Sequence, residues 1–273
     1  MIRFRAALTL IVGLVLVAAT AAAETPSAEA IIASAIDAAV DEDAPVRHEM
    51  IRAAVREEET TSDGKTNVRE FSLLLYGEHL QSARLELDPD INVISHNGKG
   101  WATIHGQLDT RANAERLASG TVRQKIFPLI LPFSLELGGL RPGKVTQTTF
   151  DDRPAWAVEV TFDQLFFASA SMATPWTLYF DRENHRVLGA EFYPPEDLRG
   201  PGAEGVRYRI LTREKIGDLS LPGQILLDGL DFNGIENGHV RVTKISYSDA
   251  GSFDPTLFID PATLEKLDAG DVE

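Results

Sequence analysis

The stretch AWAVEVTF, residues 155–162, alternates strictly: Trp156, Val158, Val160 and Phe162 fall on one side of an extended chain, and Ala155, Ala157, Glu159 and Thr161 on the other. Successive side chains of a strand point to opposite faces, so this is a strand with one face toward a core. The pattern recurs along the chain. WTLYFD places Trp176, Leu178 and Phe180 together, FSLLLYG groups Phe71, Leu73 and Leu75, and QSARLELD groups Ala83, Leu85 and Leu87. Turn formers separate the runs: Asp63-Gly64, Asn97-Gly98, Asp151-Asp152, residues 181–186, Asn233-Gly234 and Asn237-Gly238. Short strands divided by such turns predict a meandering antiparallel sheet. With this many strands it must curl or close to manage its edges.

SHNGKGWATIHG, residues 95–106, holds two histidines and a lysine between glycines, which invites a metal or phosphate site. Hairpin geometry decides against it. If Asn97-Gly98 is a two-residue type I′ turn, His96 faces Lys99, Ile94 faces Trp101, and His105 pairs near Asp90. The histidines are then about 20 Å apart at ~3.3 Å per residue, too far to share a metal. Ile94 and Trp101 share one face of this hairpin, and Ile91, Val93, Ala102 and Ile104 the other. Apolar residues on both faces predict a core on one side and a covering element on the other.

Three segments depart from the two-residue period. After Thr25 and Pro26, which suit a cap and a first helical position, Ala28, Ile32, Ala35, Ile36, Ala39 and Val40 recur at helical spacing, predicting an amphipathic helix that stops at residues 41–43. TRANAERLAS, residues 110–119, reads as a short helix. KIFPLILPF, residues 125–133, is strongly apolar, but Pro128 and Pro132 forbid a central strand or an uninterrupted helix. It is expected as a broken helix or loop over one end of the sheet, either a lid or a permanent plug. LRGPGAEG, residues 198–205, is the most linker-like stretch, but strand patterns resume on both sides of it, so it is expected as a loop within one domain.

The chain opens with Arg3 and Arg5, an apolar run, and Ala21-Ala22-Ala23. A basic start, a short apolar stretch and small residues read as a secretory signal peptide, residues 1–23, with cleavage expected after Ala23 and an uncleaved anchor as the alternative. The apolar run is short for a membrane span, which takes about 20 residues. Residues 24–273 are then a single domain, periplasmic or secreted, with no stable membrane insertion after signal cleavage. There is no cysteine, so neither disulfides nor a lipid-anchoring cysteine contribute, and stability rests on burial. The formal net charge is −15, and two units more negative once Arg3 and Arg5 leave. Such an acidic chain opposes nucleic acid and anionic membranes, because phosphate binding needs a basic footprint.

Catalytic and metal motifs resolve into turns and strands. GGLRPGKV, residues 138–145, imitates a phosphate-binding loop, but Val145 stands where Ser or Thr would hold magnesium, and the residues that follow read as a strand. In DPDINV, Asp88, Asp90 and Asn92 have calcium-loop spacing, yet Val93 replaces the essential glycine and Lys99 the closing glutamate. There is no G-x-S-x-G or H-E-x-x-H, and the six histidines are dispersed. A serine, histidine and carboxylate could still assemble from distant strands.

The order of these segments is familiar. A signal peptide and first helix precede a meander containing NGKGWATIHG; WTLYFDRENHRVLGAEFYPPE, LTREKIGDLSLPGQILLD, a last strand pair and the tail FDPTLFIDPATLEKL follow. This order resembles the lipoprotein-localisation carriers of the LolA/LolB-like superfamily over most of the mature chain. The resemblance implies a mainly β (α+β) protein, a curved, incompletely closed antiparallel half-barrel whose open side is covered by helices around an apolar cavity. It also implies a hydrophobic ligand, an acyl chain or lipid, with no cofactor and no catalytic residue. The resemblance places no ligand residue on a particular position. The alternation itself nominates Phe71, Leu73, Leu75, Trp101, Trp156, Val158, Val160, Phe162, Trp176, Leu178 and Phe180 as lining, with Ile126, Phe127, Leu129 and Ile130 as the cover. A monomeric, non-enzymatic carrier is the first expectation. A cell-envelope partner-binding or sensory module is the second, and a secreted hydrolase with a dispersed site the third.

Overall fold

A computed structural model describes residues 25–44, 47–77, 79–88, 90–198, 204–260 and 263. The expected signal peptide and its cleavage site lie outside them, as do residues 199–203 of the linker-like loop. The chain makes helix α1 (Ala28–Asp37) and then strands β1 (Met50–Thr60), β2 (Thr66–Tyr76), β3 (Ser82–Asp88), β4 (Ile91–His96), β5 (Lys99–Ile104) and β6 (Gln107–Leu108). Helix α2 (Ala114–Ile126) follows, then β7 (Leu140–Phe150), β8 (Arg153–Phe162), β9 (Trp176–Asp181), β10 (Val187–Phe192), β11 (Gly205–Ile216), β12 (Leu219–Leu230) and β13 (Glu236–Asp249).

All the strands join one 13-stranded antiparallel sheet in the order β6-β5-β4-β3-β2-β1-β13-β12-β11-β10-β9-β8-β7. It is curved and does not close, which is the half-barrel expected from the sequence. Two meanders, β1 to β6 and β7 to β13, meet where β1 pairs with β13, with Val55 opposite Ile245. Because β6 and β7 are opposite edges, the chain between them must cross from one rim of the sheet to the other. That crossing contains α2 and residues 127–139.

The inner face carries the main core: Ile51, Ala53 and Val55 of β1 abut Leu75, Leu73 and Phe71 of β2, and the run continues through Val158, Leu178 and Ile225. Helix α1 adds Ile31, Ile32, Ala35 and Ile36 to this core. Ser27, and not Thr25, is its cap, because the Ser27 hydroxyl accepts the Ala30 amide, and the helix ends at Asp37 so that Val40 can bridge to Leu219. A second cluster lies on the outer face. There Met50, Leu74 and Ile94 pack with Trp101 beneath Phe253 and Phe258 of the C-terminal segment. The cover predicted for the far side of the hairpin is this tail.

The hairpin itself has the expected register, with His96 opposite Lys99 and Ile94 opposite Trp101, and Asn97 and Gly98 both at positive φ. Three local expectations give way. Leu87 leaves the inner face because the register slips between Glu86 and Asp88, and it is exposed. Asn237-Gly238 makes an irregularity inside β13, where the register slips between Asp228 and Leu230. Helix α2 starts at Ala114 because Asp109 holds Arg111 through its amide and guanidinium and Asn113 is left-handed at φ 65. It then runs to Ile126, so KIFPLILPF begins as its last turn.

Helix α2 packs on β4 and β5 at very short range because residue 100 is glycine. A Cβ there would meet the Ser119 amide nitrogen and lie 2.6 Å from the Glu115 carbonyl oxygen, both backbone atoms of the helix. Gly100→Ala therefore lifts α2 off the sheet. Overpacking of this kind costs about 1–3 kcal/mol, to be read as a lower midpoint in urea unfolding.

Candidate functional site

Of the nominated lining residues, Phe71, Leu73, Leu75, Trp156, Val158, Val160, Phe162, Trp176, Leu178 and Phe180 lie in the inner core, with the cover residues Ile126, Phe127, Leu129 and Ile130 packed among them. Trp101 is set apart. It belongs to the outer cluster with Ile94, so its side chain and the others are on opposite sides of the sheet.

The cover is held in three ways. The first is aromatic: Phe127 is fully buried, and its ring meets Phe162, Phe167 and Trp176 edge-on at centroid distances of 5.5, 5.6 and 5.1 Å. Trp176 is fixed in turn by stacking on Phe192 at 4.4 Å and by donating its indole N–H to the Met172 carbonyl. Such edge-on contacts add about 0.5–1.5 kcal/mol each beyond the area they bury. The second hold is on the backbone. The Tyr247 hydroxyl lies 3.0 Å from the Leu129 carbonyl oxygen and 2.9 Å from that of Pro222, and Ser134 donates to the Phe127 carbonyl at 2.8 Å. Burial pushes the Tyr247 phenol far above its usual range, so it remains a donor.

The third hold is ionic. Lys125 Nζ donates to both Glu57 oxygens, at 3.2 and 3.0 Å, and stands 4.7 Å from the centre of the Phe71 ring. Glu57 is 7% exposed and continues the inner file of Ile51, Ala53 and Val55, so the inner face turns from apolar to charged along β1. The same rim carries Glu59, which accepts from Arg241 at 2.9 Å and pairs with His239 Nε2 at 2.9 Å. A cavity of about 60 Å³ opens beside this rim, lined by Glu57, Lys125, Leu129, Tyr208, Arg241 and Thr243 among others. The pairing was invisible in the alternation of the other strands. Its signal is a glutamate interrupting an apolar file in MIRAAVREEET.

A larger hollow, about 990 Å³, lies on the outer face between β3 and β11. Several of its charged side chains are already paired, Arg56 with Glu70 at 2.5 Å and Glu86 with Ser72 and Arg52 at 2.6 and 2.8 Å. The serine-histidine contact nearest to a catalytic pair is His96 Nδ1 with Ser82 Oγ at 2.9 Å. The other ring nitrogen faces Asn97, not a carboxylate, and burial holds the imidazole below its usual range. His48, His79, His105 and His239 each pair with a different carboxylate, and among the described residues no group of three or more potential ligands could hold a metal.

The rim pairing has a pH signature. Burial alone would raise the Glu59 carboxyl, but the Arg241 and His239 hydrogen bonds outweigh it and lower the pKa from 4.5 to about 2. A depressed carboxylate stabilises the fold above its unfolded pKa, and that stabilisation is lost as pH falls through the folded value. Thermal midpoints of the protein are expected to fall between about pH 4.5 and about pH 2, and Glu59→Gln to flatten that fall.

No protein-family model and no curated protein sequence matches the chain. Solved structures do. A LolA superfamily protein from Nitrosomonas europaea is 15% identical with a TM-score of 0.59, covering 87% of this chain and 100% of its own. A DUF1329 family protein from Desulfovibrio piger is 12% identical with a TM-score of 0.55, covering 87% and 99%. A putative outer membrane lipoprotein-sorting protein domain from Vibrio parahaemolyticus is 10% identical with a TM-score of 0.54, covering 88% and 100%. At these identities the likeness speaks for architecture, and a 13-stranded unclosed sheet whose two edges are joined by a covering helix is a LolA-like fold.

Proposed function

We propose that this protein is an exported carrier that takes up a hydrophobic or lipid-like ligand between the inner face of the half-barrel and the cover formed by α2 and residues 127–137. The observation that carries this reading is the cover itself: an apolar segment, separate from the sheet, occupies the space that a ligand would fill. The LolA-like fold and the lipoprotein-sorting neighbour support it. The single domain of residues 24–273, the periplasmic or secreted location and the monomeric state belong to the same proposal.

The cover packs directly among the inner-face residues. Ligand pockets typically measure about 300–1,000 Å³, whereas the opening beneath the cover is about 60 Å³. Uptake therefore displaces the cover. Exposing Ile126, Phe127, Leu129 and Ile130 costs about 1.5–3 kcal/mol each, and an entering chain returns about 0.8 kcal/mol per buried methylene, so roughly 8–15 methylenes balance the exchange. Chains of that length replace the plug, and release restores it, with no covalent step.

The outer hollow supports a second reading, a partner-binding module that docks a charged protein segment against the sheet. Its own ion pairs would have to open first.

A disulfide lock separates the two. Ser95 Oγ on β4 and Ser119 Oγ on α2 are 3.4 Å apart, and the chain has no cysteine of its own. In Ser95→Cys/Ser119→Cys, oxidation is expected to weaken binding of a fluorescent long-chain fatty acid at least about tenfold, equivalent to 1.4 kcal/mol, and reduction to restore it. Equal binding by the oxidised and reduced forms would refute a cover that moves with α2.

A further inference from the structure

The inner face ends in charge at one rim, and the ion pair there is divided between two bodies. Glu57 belongs to the sheet, while Lys125 belongs to the cover. Lys125 is the only hydrogen-bond partner of the Glu57 side chain among the described residues. Its neighbour Glu59 depends on the cover for nothing, because Arg241, His239 and, at 4.0 Å, Arg69 are all on the sheet. When the cover leaves, Glu59 keeps its hydrogen-bond donors, whereas Glu57 loses its own and keeps only the nearby charge of Arg241. A ligand that covered this rim with an apolar chain alone would rebury Glu57 without its hydrogen-bond donor, which is unfavourable.

The surroundings of Glu57 are suited to one kind of replacement. Thr243 lies directly opposite it on β13, is 6% exposed, and lines the same small cavity as Tyr208. Neither hydroxyl has a hydrogen-bond partner among the described residues. The Glu57 carboxylate and two hydroxyl-bearing residues, neither hydrogen-bonded among the described residues, thus line one cavity, and a primary ammonium has three N–H donors for such acceptors. The cavity, about 60 Å³, suits a small head group and not a chain. An anionic head group meets the opposite conditions, since the one guanidinium lining the cavity, that of Arg241, is already bonded to Glu59.

We propose that the ligand is an amphiphile with a primary ammonium head, which takes the place of the Lys125 ammonium at Glu57 while its chain takes the place of residues 126–130. This rests on the carrier reading and names the ligand class for that site. The exchange is like for like, one alkylammonium for another.

The test is competition for an environment-sensitive alkyl probe by dodecylamine, dodecanol, dodecanoate and dodecyltrimethylammonium, each below its micelle concentration, at neutral pH. Dodecylamine is expected to bind at least about tenfold more tightly than dodecanoate, with dodecanol between them. The trimethylammonium compound has the same charge and no N–H donor; it is expected to bind more weakly than dodecylamine, which separates the pocket from the acidic surface. Glu57→Gln should bring amine and alcohol to within about twofold, and Tyr208→Phe, which keeps the ring, should weaken amine binding more than dodecanol binding. Dodecanoate binding as well as dodecylamine, or equal binding of the two cations, overturns the ammonium site and leaves the carrier standing. If no chain-bearing compound binds, the carrier reading falls and this inference falls with it.

Discussion

The sheet does not close, and one connection has to join its two rims. Every other neighbouring pair of strands in sequence is linked by a short turn or by a local excursion, but β6 and β7 are opposite edges of a 13-stranded sheet. Whatever runs between them must pass over the opening. An all-polar connection would leave the inner face wet, so residues 126–137 are apolar except for Ser134 and Glu136, and most of them bury themselves in that face. The cover is a consequence of strand order before it is a device, and its two prolines keep it from extending α2 or joining the sheet.

That dependence explains why the fastening is mixed. A cover held only by burial would slide, because apolar contacts have no direction. Phe127 inserts into a ring of aromatic side chains, Tyr247 holds the backbone at Leu129, and Lys125 reaches a single carboxylate. After desolvation such an ionic contact adds little net stability, but unlike the apolar contacts it has a direction. It also divides the inner surface into an apolar floor, from Ile51 to Val55, and a charged rim at Glu57 and Glu59.

Much of the architecture was legible from alternation. The strands around Trp156, Trp176 and Phe71 have the predicted faces, and the Asn97-Gly98 hairpin has the predicted register, because one-sided burial and two-residue turns leave few alternatives. What escaped was set by interactions that alternation does not encode. Leu87 turned outward through a one-residue slip, and α2 began late because of the Asp109–Arg111 contact and a left-handed Asn113. Trp101 looked like the other two tryptophans in pattern, but parity within a strand does not say which face of the sheet is the inner one; the C-terminal Phe253 and Phe258 decide that from far along the chain. Glu57 was missed because a charged residue in an apolar file only acquires meaning with its partner, and Lys125 is distant in sequence.

An unclosed sheet also has two free borders, and both are poor templates. β6 is only two residues long, and β7 carries Pro142 where its register with β8 slips. A long, flat border would offer a ladder of unpaired amides to any extended chain, including unfolded copies of the same protein. Here the ladder is truncated on one side and broken on the other. The fold can thus keep the gap that its cover needs without presenting a seed for strand-by-strand aggregation.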